Sequence, residues 1–304
     1  MTDAAPRVLT QRDFDRFAAL SRDDNPIHCD PAFARGTHFG ATVAHGMFLF
    51  SLLCAHTWRQ LRAPALPVGQ TLMFPSPAFV GDAVRIALGP AAVPVGLAGY
   101  GTTVSSAVDE EVSEAGRATA VGASLWLPDA APQRIAALPP EAEAAPEGAG
   151  DAALYRLRPG QQASAVRAFS LADLEEYIDL TGDANPYHAD PAFARAHGFA
   201  GQVVPLPLLA GMFSDLLGTQ LPGRGTGWMK QSLRLASAAR LDEPLTARVR
   251  IVRLRAGKDL VNLASMVTGA DGRVVVHGES LVLVRNLEDK GEGMGQDNDE
   301  SRAA

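Results

Sequence analysis

Displaced by 160 residues, a stretch of the first half of this chain, Leu20 to Phe39, lies on the second without a gap. Leu20 falls on Leu180, Asp23 on Asp183, Asn25 on Asn185, Pro26 on Pro186 and His28 on His188. The run Asp30-Pro31-Ala32-Phe33-Ala34-Arg35 falls on Asp190-Pro191-Ala192-Phe193-Ala194-Arg195, and Phe39 on Phe199. Such self-similarity constrains the fold more than any local propensity, because whatever one copy forms the other must form too. The chain has 304 residues, enough for two modules with a full core each. We divide it into a first copy over 1–128, a linker over 129–150, a second copy over 151–287 and a tail over 288–304. The linker is rich in Ala, Pro and Glu (Leu138-Pro139-Pro140-Glu141-Ala142-Glu143), with too little apolar pattern to pack. The tail is polar and expected to be disordered.

Periodicity runs in the same order in both copies. A short helix opens each, with Thr10 as N-cap before Phe14, Phe17 and Leu20, and Ser170 before Leu174, Tyr177 and Leu180. A Pro-containing loop follows. Then comes an almost wholly apolar helix, expected over Met47–Leu61 and Leu208–Leu217; a helix that is apolar all round is buried all round. In copy two the strands are expected over Ser232–Leu235, Leu245–Arg255, Leu260–Thr268 and Arg273–Val284. Arg248 and Arg250 alternate with Val249 and Ile251, after which Arg253 and Arg255 change phase, so a bulge is expected near Ile251–Val252. One buried helix followed by antiparallel strands reads as a sheet wrapped around a central helix, an α+β arrangement. Two tandem modules can then pair edge to edge and make a pseudo-dimer from one chain.

Composition removes several classes of function. Hydrophobic residues make up 47% and charged residues 20%, the mix of a soluble globular protein. A net charge of −7 argues against a nucleic-acid or anionic-membrane partner. With only Cys29 and Cys54 there is no disulfide framework, and Cys29, beside His28, is expected to be a small reduced side chain rather than a thiol nucleophile. Met1–Thr10 lacks the form of a secretory signal, and the apolar stretch Val43–Ala55 is shorter than the ~20 residues a membrane helix needs. A cytoplasmic location is the expectation.

The chemistry concentrates in Asp23-Asp24-Asn25-Pro26-Ile27-His28 and in Asp183-Ala184-Asn185-Pro186-Tyr187-His188. Pro stiffens the loop and biases the Asn before it toward extended backbone, while Asn bonds its own turn. A stiff loop of this kind can hold a carboxylate and an imidazole, five residues apart, on one water molecule. The competing reading is a capped turn with a satisfied histidine, which the recurrence in both copies disfavours. A third reading, a metal held by Asp23, His28 and Asp30, lacks the Gly and terminal Glu of a calcium loop.

Both segments resemble the signature of the MaoC-like, (R)-specific enoyl-CoA hydratases, a hot-dog-fold family. Copy two matches most fully, with Thr181-Gly182-Asp183-Ala184-Asn185-Pro186-Tyr187-His188, then Leu216-Leu217-Gly218 and Gln220-Leu221-Pro222-Gly223. Copy one has Arg22 where the pattern has Gly, but keeps Val43-Ala44-His45-Gly46-Met47 and Phe79-Val80-Gly81-Asp82. The resemblance implies a double hot-dog hydratase or dehydratase acting on an acyl-CoA, with no metal or redox cofactor and coenzyme A only as part of the substrate. It implies Asp23, His28, Asp183 and His188 as the water-holding pairs and Gly46 as the oxyanion donor, its N–H standing at a helix N-terminus. Asn25, His45 and Asn185 are assigned to substrate binding. In copy two His45-Gly46-Met47 becomes Pro205-Leu206-Pro207, which removes two donors, so copy one is the expected active half and copy two the wall of an acyl tunnel. A homodimer of such chains is compatible with the resemblance.

Three rivals remain: a dehydratase for a carrier-protein-bound acyl chain, a non-catalytic acyl-thioester-binding protein, and a thioesterase. Gly223-Arg224-Gly225-Thr226-Gly227 follows a helix and precedes a strand, the reverse of a dinucleotide loop, and reads as a turn. His38, His56, His197 and His277 have no evident partners in sequence and are assigned no catalytic role. Arg248, Arg250, Arg253 and Arg255 read as a solvated strand face, with contacts to coenzyme A phosphates the lesser alternative.

Overall fold

The computed structural model describes residues 6–107, 116–139 and 150–291. Copy one runs β1 (Arg7–Val8), α1 (Gln11–Ser21), α2 (Pro26–Cys29), α3 (Pro31–Arg35), α4 (Gly46–Trp58), β2 (Ala65–Met73), β3 (Ala83–Pro90), β4 (Ala98–Ala107) and β5 (Arg117–Pro128). After α5 (Pro132–Ala136), copy two repeats the order. It runs β6 (Gln162–Arg167), α6 (Leu171–Thr181), α7 (Pro186–Ala189), α8 (Pro191–Ala196), α9 (Leu206–Asp215), β7 (Gly227–Leu235), β8 (Leu245–Arg255), β9 (Leu260–Gly269) and β10 (Val274–Leu283).

The opening helices start where the sequence places them. Thr10 and Asp13 form a reciprocal capping box, and so do Ser170 and Asp173. Both helices end on a left-handed residue, Arg22 (φ 64°) in copy one and Gly182 (φ 73°) in copy two. The central helices carry the core: Met47 to Ala55 of α4 are all buried, as are Leu206 to Ser214 of α9. Helix α4 begins at Gly46 and stops at Trp58, short of Leu61, and α9 gives way to a single π-helical turn over Leu216–Gln220.

All ten strands form one antiparallel sheet in the order β1-β3-β4-β5-β2-β7-β10-β9-β8-β6. The second half of that order mirrors the first, as a duplicated module demands. The halves join through β2 and β7, from Gly69 opposite Arg234 to Met73 opposite Lys230. This is the double hot-dog, α+β arrangement, with α4 and α9 packed against each other under the shared sheet. The bulge in β8 lies between Ile251 and Arg253, where expected. Strands β1 and β6, at the outer edges, were not foreseen.

Two boundaries need correction. Residues 129–139, assigned to an unpacked linker, pack: Ala130 and Ile135 are buried, and Arg134 donates to the carbonyls of Pro128 (2.5 Å) and Asp129 (2.7 Å). The rest of that linker, 140–149, lies outside the described residues. The tail begins later than Glu288, whose N–H donates to the Arg224 carbonyl at 3.0 Å, while Asp289 pairs with Arg156 at 3.2 Å. Residues 292–304 lie outside the described residues. Among the described residues, no helix is long and apolar enough to cross a membrane.

Candidate active site

The Asp/Asn/His loop of copy one is fixed by its own side chains. Asn25 caps α2, its Oδ1 accepting from the Ile27 N–H at 3.3 Å, with Pro26 as the first helical residue. Asp30 caps α3 by accepting from Ala32 (2.8 Å) and Phe33 (3.0 Å), which spends it on the turn and removes it from any metal set. His28 Nδ1 lies 2.7 Å from the Val43 carbonyl. A carbonyl only accepts, so Nδ1 carries the proton and Nε2 presents a lone pair.

That lone pair faces Asp23. His28 Nε2 and Asp23 Oδ2 are 3.9 Å apart, beyond a direct hydrogen bond and suited to a molecule shared between them. Asp23 is buried, and the short hydrogen bond to its carboxylate comes from the other copy: Ser214, on α9, donates to Oδ2 at 2.5 Å. Asn25 Nδ2 also reaches across, toward the Gly218 carbonyl at 3.5 Å. Gly218 packs closely on this loop: a Cβ there would stand 3.2 Å from Asn25 Nδ2 and 3.3 Å from Asp23 Oδ1, so both side chains would have to give by a few tenths of an ångström.

These groups border a cavity of about 630 Å³. Asp23, Asn25, His28 and Gly46 are among its polar groups; Phe74, Leu217 and Trp228 are among its apolar walls. Gly46 opens α4, so its N–H has no intrahelical acceptor and carries the positive end of the helix dipole. A Cβ on Gly46 would come within 2.6 Å of the Phe74 ring, so any larger residue here would have to displace that ring in the cavity wall.

Copy two has the same skeleton, sealed. His188 Nδ1 meets the Val203 carbonyl at 2.7 Å, as His28 meets Val43. Yet Asp183 and His188 are buried and border no part of the cavity. Tyr177, at the position of Phe17, donates its hydroxyl to Asp183 Oδ2 at 3.0 Å. Burial pushes the Asp183 carboxyl up and the His188 imidazole down, each toward its neutral form. Asp183 and His188, expected as a second pair, therefore stand apart from this cavity. Asn185, expected at the substrate, instead caps α7 and donates to the Ala65 carbonyl at 2.8 Å, buried between the copies.

His45 also moves. Its ring is fully buried and lines no cavity, so it is not a substrate ligand. Its Nε2 lies 2.9 Å from the Asp23 carbonyl, and its ring stacks on His28 with centroids 3.8 Å apart and planes 26° apart. Burial first, and then His28, holds its pKa down to about 3. Asp23, His28 and His45 bring donor atoms within 4.8 Å of one another. Even so, stacked rings send their in-plane lone pairs along near-parallel lines, and the two imidazoles cannot both meet one ion at the ~2.0–2.1 Å of a zinc–nitrogen bond.

Other residues fall as follows. Burial lifts the Cys29 thiol to about 11, which leaves it a poor nucleophile. Gly225, Thr226 and Gly227 form a turn at the cavity rim with Asn286 and Glu288, and His38 lines the cavity too, unforeseen. None of Arg248, Arg250, Arg253 and Arg255 borders it. Sequence reasoning missed Ser214 and Tyr177; for Tyr177 the signal was a hydroxyl that the 160-residue displacement adds in place of Phe17, as it adds Tyr187 in place of Ile27.

The model of the MaoC-like domain matches residues 2–94 and 157–270. An (R)-specific enoyl-CoA hydratase from Aeromonas caviae is 36% identical over 126 residues, covering 41% of this chain and 94% of that protein. A 3-hydroxybutyryl-CoA dehydratase from Methylorubrum extorquens is 30% identical over 123 residues, covering 40% and 78%. Among solved structures, a MaoC-like dehydratase superposes with TM-score 0.72 at 16% identity, covering 92% of this chain and 96% of that one. A Mycobacterium tuberculosis protein described as having a double hotdog fold gives TM-score 0.67 at 16% identity, covering 92% and 94%. Likenesses at that identity speak to the fold alone.

Proposed function

The chain belongs to the MaoC-like domain family and is a hydratase/dehydratase, and on that premise we propose that copy one adds water across the C2=C3 bond of a trans-2-enoyl-CoA to give the (R)-3-hydroxyacyl-CoA, or removes it in reverse. A water sits between Asp23 Oδ2 and His28 Nε2. Its oxygen bonds to C3 while Nε2 takes a proton, and the electrons of the double bond move onto the thioester oxygen. The Gly46 N–H, at the start of α4, stabilises that oxygen; one such donor is worth ~2.7–4 kcal/mol. The imidazolium of His28 then returns its proton to C2, so that one water has been added and both side chains are as they began. Copy two contributes the supporting wall, through Ser214 and Leu217.

The observation that carries this reading is the 3.9 Å gap between Asp23 and His28 at the edge of a 630 Å³ cavity, beside the Gly46 helix start. The test is loss of conjugated-thioester absorbance on incubation with enoyl-CoA esters, followed by chiral analysis of the product. No turnover, or an (S) product, overturns the proposal. Running the same enoyl group on an acyl carrier protein identifies the carrier: a higher kcat/KM there reassigns it.

A further inference from the structure

The acid–base pair and the oxyanion donor sit on different elements, and a single buried side chain joins them. His45 is the residue before Gly46. Its Nε2–H donates to the main-chain carbonyl of Asp23, and its ring lies face to face with His28. Phe17, from α1, closes the other side, with centroids 5.2 Å apart. The Nδ1 atom, by contrast, meets no polar partner. A buried acceptor left unpaired is costly, on the scale of a lost hydrogen bond, and is tolerated where the group has another use.

We propose that His45 is a positioning residue for the water-addition chemistry: its ring locks the Asp23 backbone and the His28 ring plane to the first residue of α4, and so sets the distance from the acid–base pair to the Gly46 N–H. The inference rests on the functional reading above. Backbone connectivity fixes Gly46 relative to His45. The Nε2–H bond fixes Asp23, and stacking denies His28 rotation about its bond to Val43. Misplacement by as little as 1 Å is enough to cost a reaction a hundredfold. The ring must also stay neutral, because an imidazolium stacked on His28 would oppose the charge His28 acquires when it takes the proton. The titratable groups facing His45 are Asp23 and His28; α1 presents only Phe17 to it. Copy two has Pro205 in this position, and there the arrangement is absent.

Two variants and one measurement on the unaltered protein test this. His45→Phe keeps a ring and loses the donor; His45→Gln keeps a donor and loses the ring. Each should lower kcat at least ~10-fold with KM within ~2-fold, the mark of an effect confined to the transition state. In a His28→Ala background the same changes should cost several-fold less than in the wild type, since there is no ring left to hold and only the link to Asp23 remains to be lost. A raised KM at unchanged kcat would make His45 a substrate contact, and full additivity with His28→Ala would make it merely structural; either overturns the proposal. Should neither variant fold, nitrogen-detected NMR of the wild-type imidazoles decides. His45 should be the neutral Nε2–H tautomer from about pH 5 to 8, and a titrating or Nδ1–H ring refutes the placement. A wild-type enzyme with no hydratase activity would sink the functional reading instead, leaving the NMR result to stand separately.

Discussion

Ser214→Ala removes one hydroxyl from copy two, and on the proposed mechanism it should disable the pair in copy one. Asp23 is buried, and its carboxylate has two protein donors: Ser214 Oγ at 2.5 Å and the Asn25 N–H at a long 3.4 Å. Deleting the serine donor leaves Oδ2 without its short charge-assisted bond, a loss of about 1.5–3 kcal/mol. If that loss falls on the transition state it is ~10- to 100-fold in kcat, at ~1.4 kcal/mol per factor of ten. KM should hardly change, because Asp23 holds the water rather than the acyl chain. Ser214→Thr restores the hydroxyl and should recover part of the rate. The assay is the steady-state hydration of an enoyl-CoA ester by all three proteins, with thermal melts to confirm folding. A Ser214→Ala enzyme within ~2-fold of wild type in kcat would mean that Asp23 needs no support from α9, and that copy two is dispensable to the chemistry.

Three further outcomes follow from the same geometry. Asp23→Asn and His28→Ala should each lower kcat at least ~100-fold, whereas Asp183→Asn should leave kcat within ~2-fold and, by removing a desolvated carboxylate, raise the melting temperature at neutral pH; a dead Asp183→Asn enzyme that still folds would reverse the assignment of the copies. Stability should fall with acid: the folded pKa of His45, about 3, lies below its unfolded value of ~6.5, so its contribution is complete above ~6.5 and is lost as pH drops toward 3, by up to ~1.4 kcal/mol per pH unit. His188, also depressed, adds to that slope, and Asp183, raised by burial, opposes it; urea melts between about pH 7 and 4.5 should therefore show a flatter profile for His45→Phe. Finally, Arg22→Gly should stabilise the fold by about 0.5–1 kcal/mol without altering kcat, since Arg22 holds a left-handed backbone, is exposed and borders no cavity.

Much of this molecule was legible in the sequence because its signals are local. The N-caps at Thr10 and Ser170, the apolar run of α4 and the phase slip in β8 are each written in a dozen residues, and each appears where read, the caps as full capping boxes. Asp23, His28 and Gly46, singled out from the sequence, border one cavity. What escaped was set by the packing of one copy on the other. Ser214 looks like an ordinary small residue in an apolar helix, and only the docking of α9 against the loop turns its hydroxyl toward Asp23. His45 carries a polar ring beside a functional glycine, which reads as a ligand; the fold turns it inward instead. The edge strand β6, Gln-Ala-Ser-Ala-Val-Arg, has too few large apolar residues to advertise itself. Residues 129–139 have few large apolar side chains, yet Ala130 and Ile135 are buried and pin them.

The hydrogen bonds that cross between the copies have a consequence for inheritance. Were this assembly built from two identical chains, every substitution would strike both sites at once, and Tyr177 or Pro205 would have closed the working pocket together with its twin. Covalent fusion frees the two from that symmetry. One half keeps the reactive loop and borrows Ser214 and the Gly218 carbonyl; the other keeps α9 and the strands while its own loop, still folded, retires behind a tyrosine. The fused chain thus fixes the ratio of worker to buttress at one to one, whatever the level of expression.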